Sequence, residues 1–149
     1  MITVFVTVGT FKFDLLIKSL DYLKIDGVNF FFQIGSGDYI PINNPYVRYT
    51  NEYNKLVNNY DFFITHAGAG NIYHLLELNK RILIFPNLNR VDNHQLDIAN
   101  YVEKNNLGII EKNIHNLQDS LMRLLNFQAK KYVKKDFFKT KEIFQYIYS

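Results

Sequence analysis

The 149-residue sequence has no cysteine and no tryptophan. Without cysteine it has no disulfide framework, no thiolate zinc site and no cysteine nucleophile. No run of about 18 apolar residues is present, so a membrane-spanning helix is not expected. The opening segment, MITVFVTVGT, has no cationic stretch ahead of an apolar one and does not read as a secretory signal. A G-x-x-x-x-G-K-[ST] loop is absent too, which sets aside a P-loop nucleotidase. The expected location is the cytoplasm.

What is present fits one compact domain with a real core, since 48% of the residues are hydrophobic and only 21% are charged. Disorder is therefore not expected. The formal charge of +3 is concentrated at the C-terminal end. There Lys130, Lys131, Lys134, Lys135, Lys139 and Lys141 alternate with Tyr132, Phe137, Phe138, Phe144, Tyr146 and Tyr148. Such a run reads either as a solvated helix face or as a surface that meets anionic lipid or a partner subunit. Nucleic acid is not the expected partner, because domains that bind it carry basic charge through the fold.

Hydrophobic patterning alternates between the two periods. Residues 2–8, ITVFVTV, are apolar or β-branched without a break, the mark of a strand buried on both faces. Phe13, Leu16, Ile17, Leu20 and Leu23 then recur at helical spacing over about 12–24. Further strands are expected at Val28–Ile34, Tyr46–Thr50, Asp61–Thr65, Ile82–Phe85 and Gly108–Ile110. Helices are expected over Glu52–Asn59, from the HAGAG stretch through Lys80, over Asp92–Glu103 and from Leu117 onward. The fold class is α/β: a Rossmann-like, mostly parallel sheet with helices on both faces. The whole chain reads as a single domain, with residues 113–149 forming a helical, basic and aromatic tail.

In such a sheet ligands bind beyond the carboxyl ends of the strands. Thr65-His66-Ala67-Gly68-Ala69-Gly70-Asn71 joins a strand to a helix start, where glycines admit a ligand and free N–H groups suit a phosphate. His66 adds a donor or a positive charge. Gly68 and Gly70 also satisfy a simple tight turn. Tyr73 occupies the place of the third small residue of a dinucleotide fingerprint, and the loop follows a late strand, which counts against NAD. Between Pro86 and Gln95 the side chains are denser in hydrogen-bonding groups than a connection requires. Asp92 and Gln95 fit a capping box, while Asn93 and Gln95 also suit sugar hydroxyls. His74 and His115 read as structural or solvent-facing. No two imidazoles share helix-face spacing with a carboxylate, so no metal site and no cofactor is expected.

FVTVGT, FFQIGSGDY, ITHAGAGNIYHLLELNK and FPNLNRVDNHQLDIA together resemble the C-terminal, nucleotide-sugar-binding half of family 28 glycosyltransferases, over roughly residues 1–110. The likeness is to the separately encoded catalytic subunit of two-part UDP-GlcNAc transferases of N-glycan assembly and of bacterial exopolysaccharide and capsule counterparts. The fold implied is the C-terminal half of a GT-B glycosyltransferase.

The resemblance implies a UDP-sugar donor and a membrane-anchored partner subunit that holds a polyprenyl-diphosphate-linked acceptor. It places the chain on the cytoplasmic side of a membrane through that partner, in surface polysaccharide synthesis, with the acceptor half expected on another chain. His66, Gly68, Ala69, Gly70 and Asn71 match the diphosphate loop, with His66 stabilising the leaving group's charge. Gly9 and Thr10 match the first-strand loop, and Asp92, Asn93 and Gln95 the donor-sugar segment. Gln33 and Tyr39 fall in loops flanking the base. The family often carries an acidic residue eight positions after the motif histidine, to bond the ribose. Here that position is His74, and Glu77 lies almost one helical turn further on. Asp14 is the candidate base for the acceptor hydroxyl, though a helix-start aspartate explains it as well. The alternative function is a non-catalytic nucleotide-sugar-binding or regulatory subunit; a purely structural partner of a membrane protein is a third.

Overall fold

The structure is a computed structural model that describes residues 1–89 and 93–133; of residues 93 and 94 only the backbone is described. Six strands form one sheet: β1 (Ile2–Thr7), β2 (Val28–Gln33), β3 (Tyr46–Val47), β4 (Phe62–Thr65), β5 (Arg81–Ile84) and β6 (Ile109–Ile110). Between them lie α1 (Asp14–Tyr22), α2 (Tyr53–Asn58), α3 (Ala69–Glu77) and α4 (Asn93–Lys104), and α5 (Leu117–Asn126) follows a single 3-10 turn at Ile114–Asn116. Every ladder between these strands is parallel, in the order β3-β2-β1-β4-β5-β6. The sheet therefore grows outward from β1 in both directions. The order reverses between β1 and β4, and at such a switch point the connections leave a crevice above the carboxyl ends.

Burial on both faces explains the uninterrupted apolar strands. Val4, Val6, Phe30, Phe32, Ile64 and Leu83 pack against Leu16, Ile17 and Leu20 of α1 and Leu117, Leu121 and Leu124 of α5. On the other face Phe5, Phe63, Ile82 and Ile84 meet Val57 of α2, Ile72, Leu75 and Leu76 of α3, and Ile98 and Val102 of α4. Each of these aliphatic side chains contributes on the order of 1.5–3 kcal/mol by leaving water. Phe5 anchors the second layer. Its ring stacks on Phe31 at 5.6 Å and Tyr60 at 5.4 Å and meets Phe63 edge-on at 5.6 Å.

Elements fall where patterning places them, but several are shorter. α1 begins at Asp14 because Phe13 adopts φ −145°, outside the helical range. α3 ends at Glu77, three residues before Lys80, because Asn79 turns the chain with φ +56°. Among the described residues, helix after Leu117 is confined to α5, and residues 127–133 carry none. Instead the Lys130 amide donates to Asn106 O at 2.8 Å, and Tyr132 is buried with its ring 6.3 Å from Tyr73 on α3. The chain thus crosses back to the α3–α4 face before Val133. The remaining basic and aromatic tail residues, from Lys134 on, lie outside the described residues.

One buried carboxylate organises the connection from β2 to β3. Asp21, only 1% exposed, accepts hydrogen bonds from the Tyr39 hydroxyl (2.6 Å), the Ile42 amide (2.8 Å), the Asn43 amide (3.1 Å) and Asn44 Nδ2 (3.0 Å). Burial opposes its charge, but the bonds from Tyr39, Asn44, Ile42 and Asn43 outweigh burial and hold the carboxyl below the usual aspartate range. Charge-assisted bonds of this kind are about twice as strong as neutral ones. Asp21→Asn is therefore expected to cost about 2–3 kcal/mol at pH 7. The stabilisation is fully present above the unfolded-chain pKa of 3.8 and is lost as the pH falls through the lower folded value. Urea unfolding of both proteins from pH 7 to pH 2.5 should show the gap closing in acid. Equal midpoints at pH 7 would contradict the assignment.

Candidate functional site

The loop after β1 turns at Gly9, whose φ of +68° is one that a glycine adopts freely. Its amide donates to Thr7 Oγ1 (3.4 Å), and the Thr7 hydroxyl donates in turn to Gln33 Oε1 (2.8 Å). Thr7 lies opposite both Gln33 and Thr65 in the ladders, so a buried polar row underlies the carboxyl edge of the sheet. The loop after β2 rests directly on the β1 loop. A Cβ at Gly35 would lie 2.6 Å from Phe11 O and 2.8 Å from Gly9 O. Arg48 Nη1 donates to Gly35 O (3.2 Å) and Gly37 O (2.8 Å), and the Asp14 carboxylate accepts the Asp38 (3.3 Å) and Tyr39 (3.2 Å) amides.

His66 follows β4 directly, and its imidazole lies between two glycines. A Cβ at Gly9 would come within 3.1 Å of His66 Cε1, and one at Gly68 within 2.8 Å of Nε2. Both side chains are missing where the ring needs room. Burial lowers the imidazole pKa, with the Thr7 backbone acting the other way, so the free protein holds His66 neutral at pH 7. α3 starts three residues beyond His66, at Ala69. Gly68 precedes the first turn in an extended conformation, and no side chain caps it. The amides of Ala69, Gly70 and Asn71 thus have no intrahelical acceptor and carry the positive end of the helix dipole. An uncapped helix start beside an imidazole is chemically an anion receptor.

Above β1 and β4 opens a cavity of about 300 Å³ lined by Val8, Phe11, Lys12, Phe13, His66, Asn87 and Gln95. Gln95, on the first turn of α4, and Asn87, after β5, supply carboxamides to one wall. A neighbouring cavity of about 350 Å³ shares Phe13 and Asn87 and runs past Leu15, Pro86 and Leu88 to Lys112 and His115. Phe11, Leu15 and Leu88 are each more than half exposed at this end of the sheet.

The residues predicted for the site divide into two groups. His66 and Gln95 line the cavity, Gly9 and Gly68 make room for the imidazole, and Ala69, Gly70 and Asn71 form the helix start; Thr10 is exposed in the β1 loop. Gln33 is instead buried and bonded to Thr7. Tyr39 sends its hydroxyl to Asp21, seven residues and about 10 Å along α1 from the helix start. His74 turns its ring toward Tyr53 at 6.1 Å, with Nε2 buried and without a hydrogen-bond partner among the described residues. Glu77 is exposed at the closing end of α3, about 12 Å from its start. Asp14 spends both carboxylate oxygens on the β2 loop. Asp92 and the Asn93 side chain lie outside the described residues, and with them the capping box. Among the described residues no group of three His, Asp or Glu is placed to hold a metal ion, and no helix is long and apolar enough to cross a membrane.

Five wall residues were not among those predicted for the site: Val8, Phe11, Lys12, Phe13 and Asn87. Lys12 follows the Gly9-Thr10 turn closely enough that its position was the available signal. Its Nζ pairs with Asp38 at 3.2 Å across the two loops, where both side chains remain largely in water.

Residues 3–146 match the family model described as "Glycosyltransferase family 28 C-terminal domain". The "UDP-N-acetylglucosamine transferase subunit ALG13" of Candida albicans is 43% identical over 61 residues, covering 41% of this chain and 21% of that protein. The human protein of the same name is 34% identical over 117 residues, covering 68% of this chain and 10% of its own. The "UDP-N-acetylglucosamine--N-acetylmuramyl-(pentapeptide) pyrophosphoryl-undecaprenol N-acetylglucosamine transferase" of Prochlorococcus marinus is 31% identical over 128 residues, covering 79% of this chain and 35% of that protein. The chain thus spans between a tenth and about a third of these relatives. Among solved structures, the glycosyltransferase SnogD from Streptomyces nogalater superposes with a TM-score of 0.63 at 18% identity, over 84% of this chain and 34% of that one. The glycotransferase of kitacinnamycin gives 0.62 at 17% identity, over 83% and 34%. At these identities the likeness is one of fold.

Two measurements check the histidine cradle. An NMR titration of the full chain should give His66 a pKa below 6.5, and folding stability should fall as the pH drops below 6.5, because the unfolded chain takes up that proton first. In Gly68→Ala the added methyl should displace the ring and change its chemical shifts while the sheet persists. An ordinary pKa with unmoved shifts would contradict the packing.

Proposed function

The chain belongs to the glycosyltransferase family 28 C-terminal domain family, and on that premise we propose that it is the donor-binding catalytic subunit of an inverting, UDP-sugar-dependent transferase. One observation carries this reading: the uncapped start of α3 and the glycine-flanked His66 stand side by side at the switch point of the sheet. The α3 amides and His66 take the diphosphate, while Gln95 and Asn87 face the sugar hydroxyls. As the bond from the anomeric carbon to the diphosphate breaks, negative charge grows on the leaving UDP. Fixed amide dipoles stabilise that charge without reorganising at the moment of reaction. A diphosphate against His66 also raises the affinity of the imidazole for a proton.

The names of the relatives support GlcNAc as the sugar and a polyprenyl-linked acceptor. A surface-polysaccharide setting rests on the motif resemblance alone. The subunit names of two relatives support a second polypeptide, which in this proposal holds the acceptor and attaches the chain to the cytoplasmic side of the membrane. Exposed Phe11, Leu15 and Leu88 at the mouth of the site support a covering protein surface there. Because Asp14 is bonded to the Asp38 and Tyr39 amides, the proposal assigns the general base to the partner. His74 favours a second reading, a non-catalytic nucleotide-sugar-binding subunit. It places an imidazole beside Tyr53 where the resemblance calls for a ribose-binding acid.

Calorimetric titration of the full chain with UDP and UDP-GlcNAc tests the proposal. His66→Ala is expected to weaken both ligands about tenfold, the loss of one charge-assisted bond. Gln95→Ala should weaken UDP-GlcNAc and spare UDP. With UDP-GlcNAc, whose diphosphate does not titrate near neutrality, affinity should fall as the pH rises from 6 to 8 and the His66 proton is lost. Absence of nucleotide binding by the wild-type chain, alone and with its partner, would overturn the proposal. Turnover on reconstitution with a lipid-linked acceptor separates the enzyme from the binding subunit.

A further inference from the structure

We propose that Tyr53 is a positioning residue for the diphosphate loop, holding the start of α3 against the end of β4 through Asn71. The Tyr53 hydroxyl donates to Asn71 Oδ1, and Asn71 Nδ2 donates to Thr65 Oγ1 at 2.9 Å. Thr65 is the last residue of β4, fully buried, and Asn71 is the third residue of α3. The second bond therefore closes a side-chain bridge across both ends of the loop from His66 to Gly70. The first decides which way the carboxamide faces. With Oδ1 occupied by a hydroxyl donor, Nδ2 is left to meet Thr65.

Tyr53 is itself fixed. Its ring lies 6.1 Å from Phe5 and 6.1 Å from His74, between the aromatic layer and α3. Burial pushes its hydroxyl pKa up to about 12, against the bond to Asn71, so the group stays a donor at every physiological pH. Tyr53 opens α2, 18 residues before Asn71, and does not line the cavity. Its effect on a ligand passes through Asn71. A loop held in its binding geometry before the ligand arrives loses less entropy on binding.

This inference rests on the diphosphate reading above, and the test separates the two. Tyr53→Phe keeps the ring and removes only the hydroxyl. Thr65→Val breaks the other end of the bridge. Tyr60→Phe is the control, because Tyr60 stacks on Phe5 at 5.4 Å in the same aromatic layer and makes no bond to α3. Titration of each full-length protein with UDP and with UMP reads the β-phosphate contribution as a ratio of affinities, which a general loss of stability would not change. Tyr53→Phe is expected to weaken UDP about fivefold and UMP less, so that the preference for UDP falls. Thr65→Val should do the same, and the double variant should be no worse than either single one. The control should match the wild type. Wild-type UDP affinity and an unchanged UDP-to-UMP ratio in Tyr53→Phe would overturn the inference alone. A wild-type chain that binds neither nucleotide would overturn the diphosphate reading, and the inference with it.

Discussion

An imidazole at the end of β4 can face the β1 loop only if the backbone on either side of it stays bare. Gly9 and Gly68 meet that condition: side-chain carbons there would approach the His66 ring to 3.1 and 2.8 Å. The two glycines belong to loops far apart in sequence, and what brings them together is the order of the sheet. β1 and β4 pair directly, with Thr7 opposite Thr65, so the residues that follow each strand rise next to one another. The helix that β4 feeds then points its unpaired amides at the same crevice. The anion receptor proposed at this end of the molecule rests on strand order together with two missing side chains.

The remaining loops are tied to that arrangement by polar contacts. Gly35 lets the β2 loop lie on the carbonyls of Gly9 and Phe11, and Asp14 and Arg48 bond it in place. At the other end of α1, Asp21 gathers the chain leading into β3. These carboxylates and this guanidinium act as connectors between elements. Asp14 shows the consequence for function, since both of its carboxylate oxygens are taken up by the Asp38 and Tyr39 amides. In the proposed scheme catalytic power in this half is electrostatic, and proton transfer belongs to the other half.

Much of the fold is legible in the sequence because parallel strands buried on both faces leave uninterrupted apolar runs, and ITVFVTV and the VNFFFQ of β2 could hardly be anything else. Helix ends were less so. The turn at Asn79 uses a left-handed conformation that residue type only hints at, and α3 stops short of Lys80 for that reason. In the site, the HAGAG segment announces itself through small residues before a helix. Gln33 and Tyr39 also occupy the expected loops, but their side chains serve Thr7 and Asp21, and a pattern of residue types does not say which way a side chain turns. Phe11, Lys12 and Asn87 enter the cavity wall only once three strands are in register. Tyr53 was invisible for the same reason, because its partner Asn71 sits 18 residues further on, in a different helix of the same face.

The central claim is that the α3 start and the β1 loop form one receptor for the diphosphate of a nucleotide sugar. Amide chemical-shift mapping of the full chain with UDP tests it most directly. The shifts should concentrate at Gly9, Thr10, Ala69, Gly70 and Asn71, with a second group at Gln95 when UDP-GlcNAc replaces UDP. Shifts centred instead on the groove between α4 and α5, at Glu103, Met122 and Arg123, would contradict it.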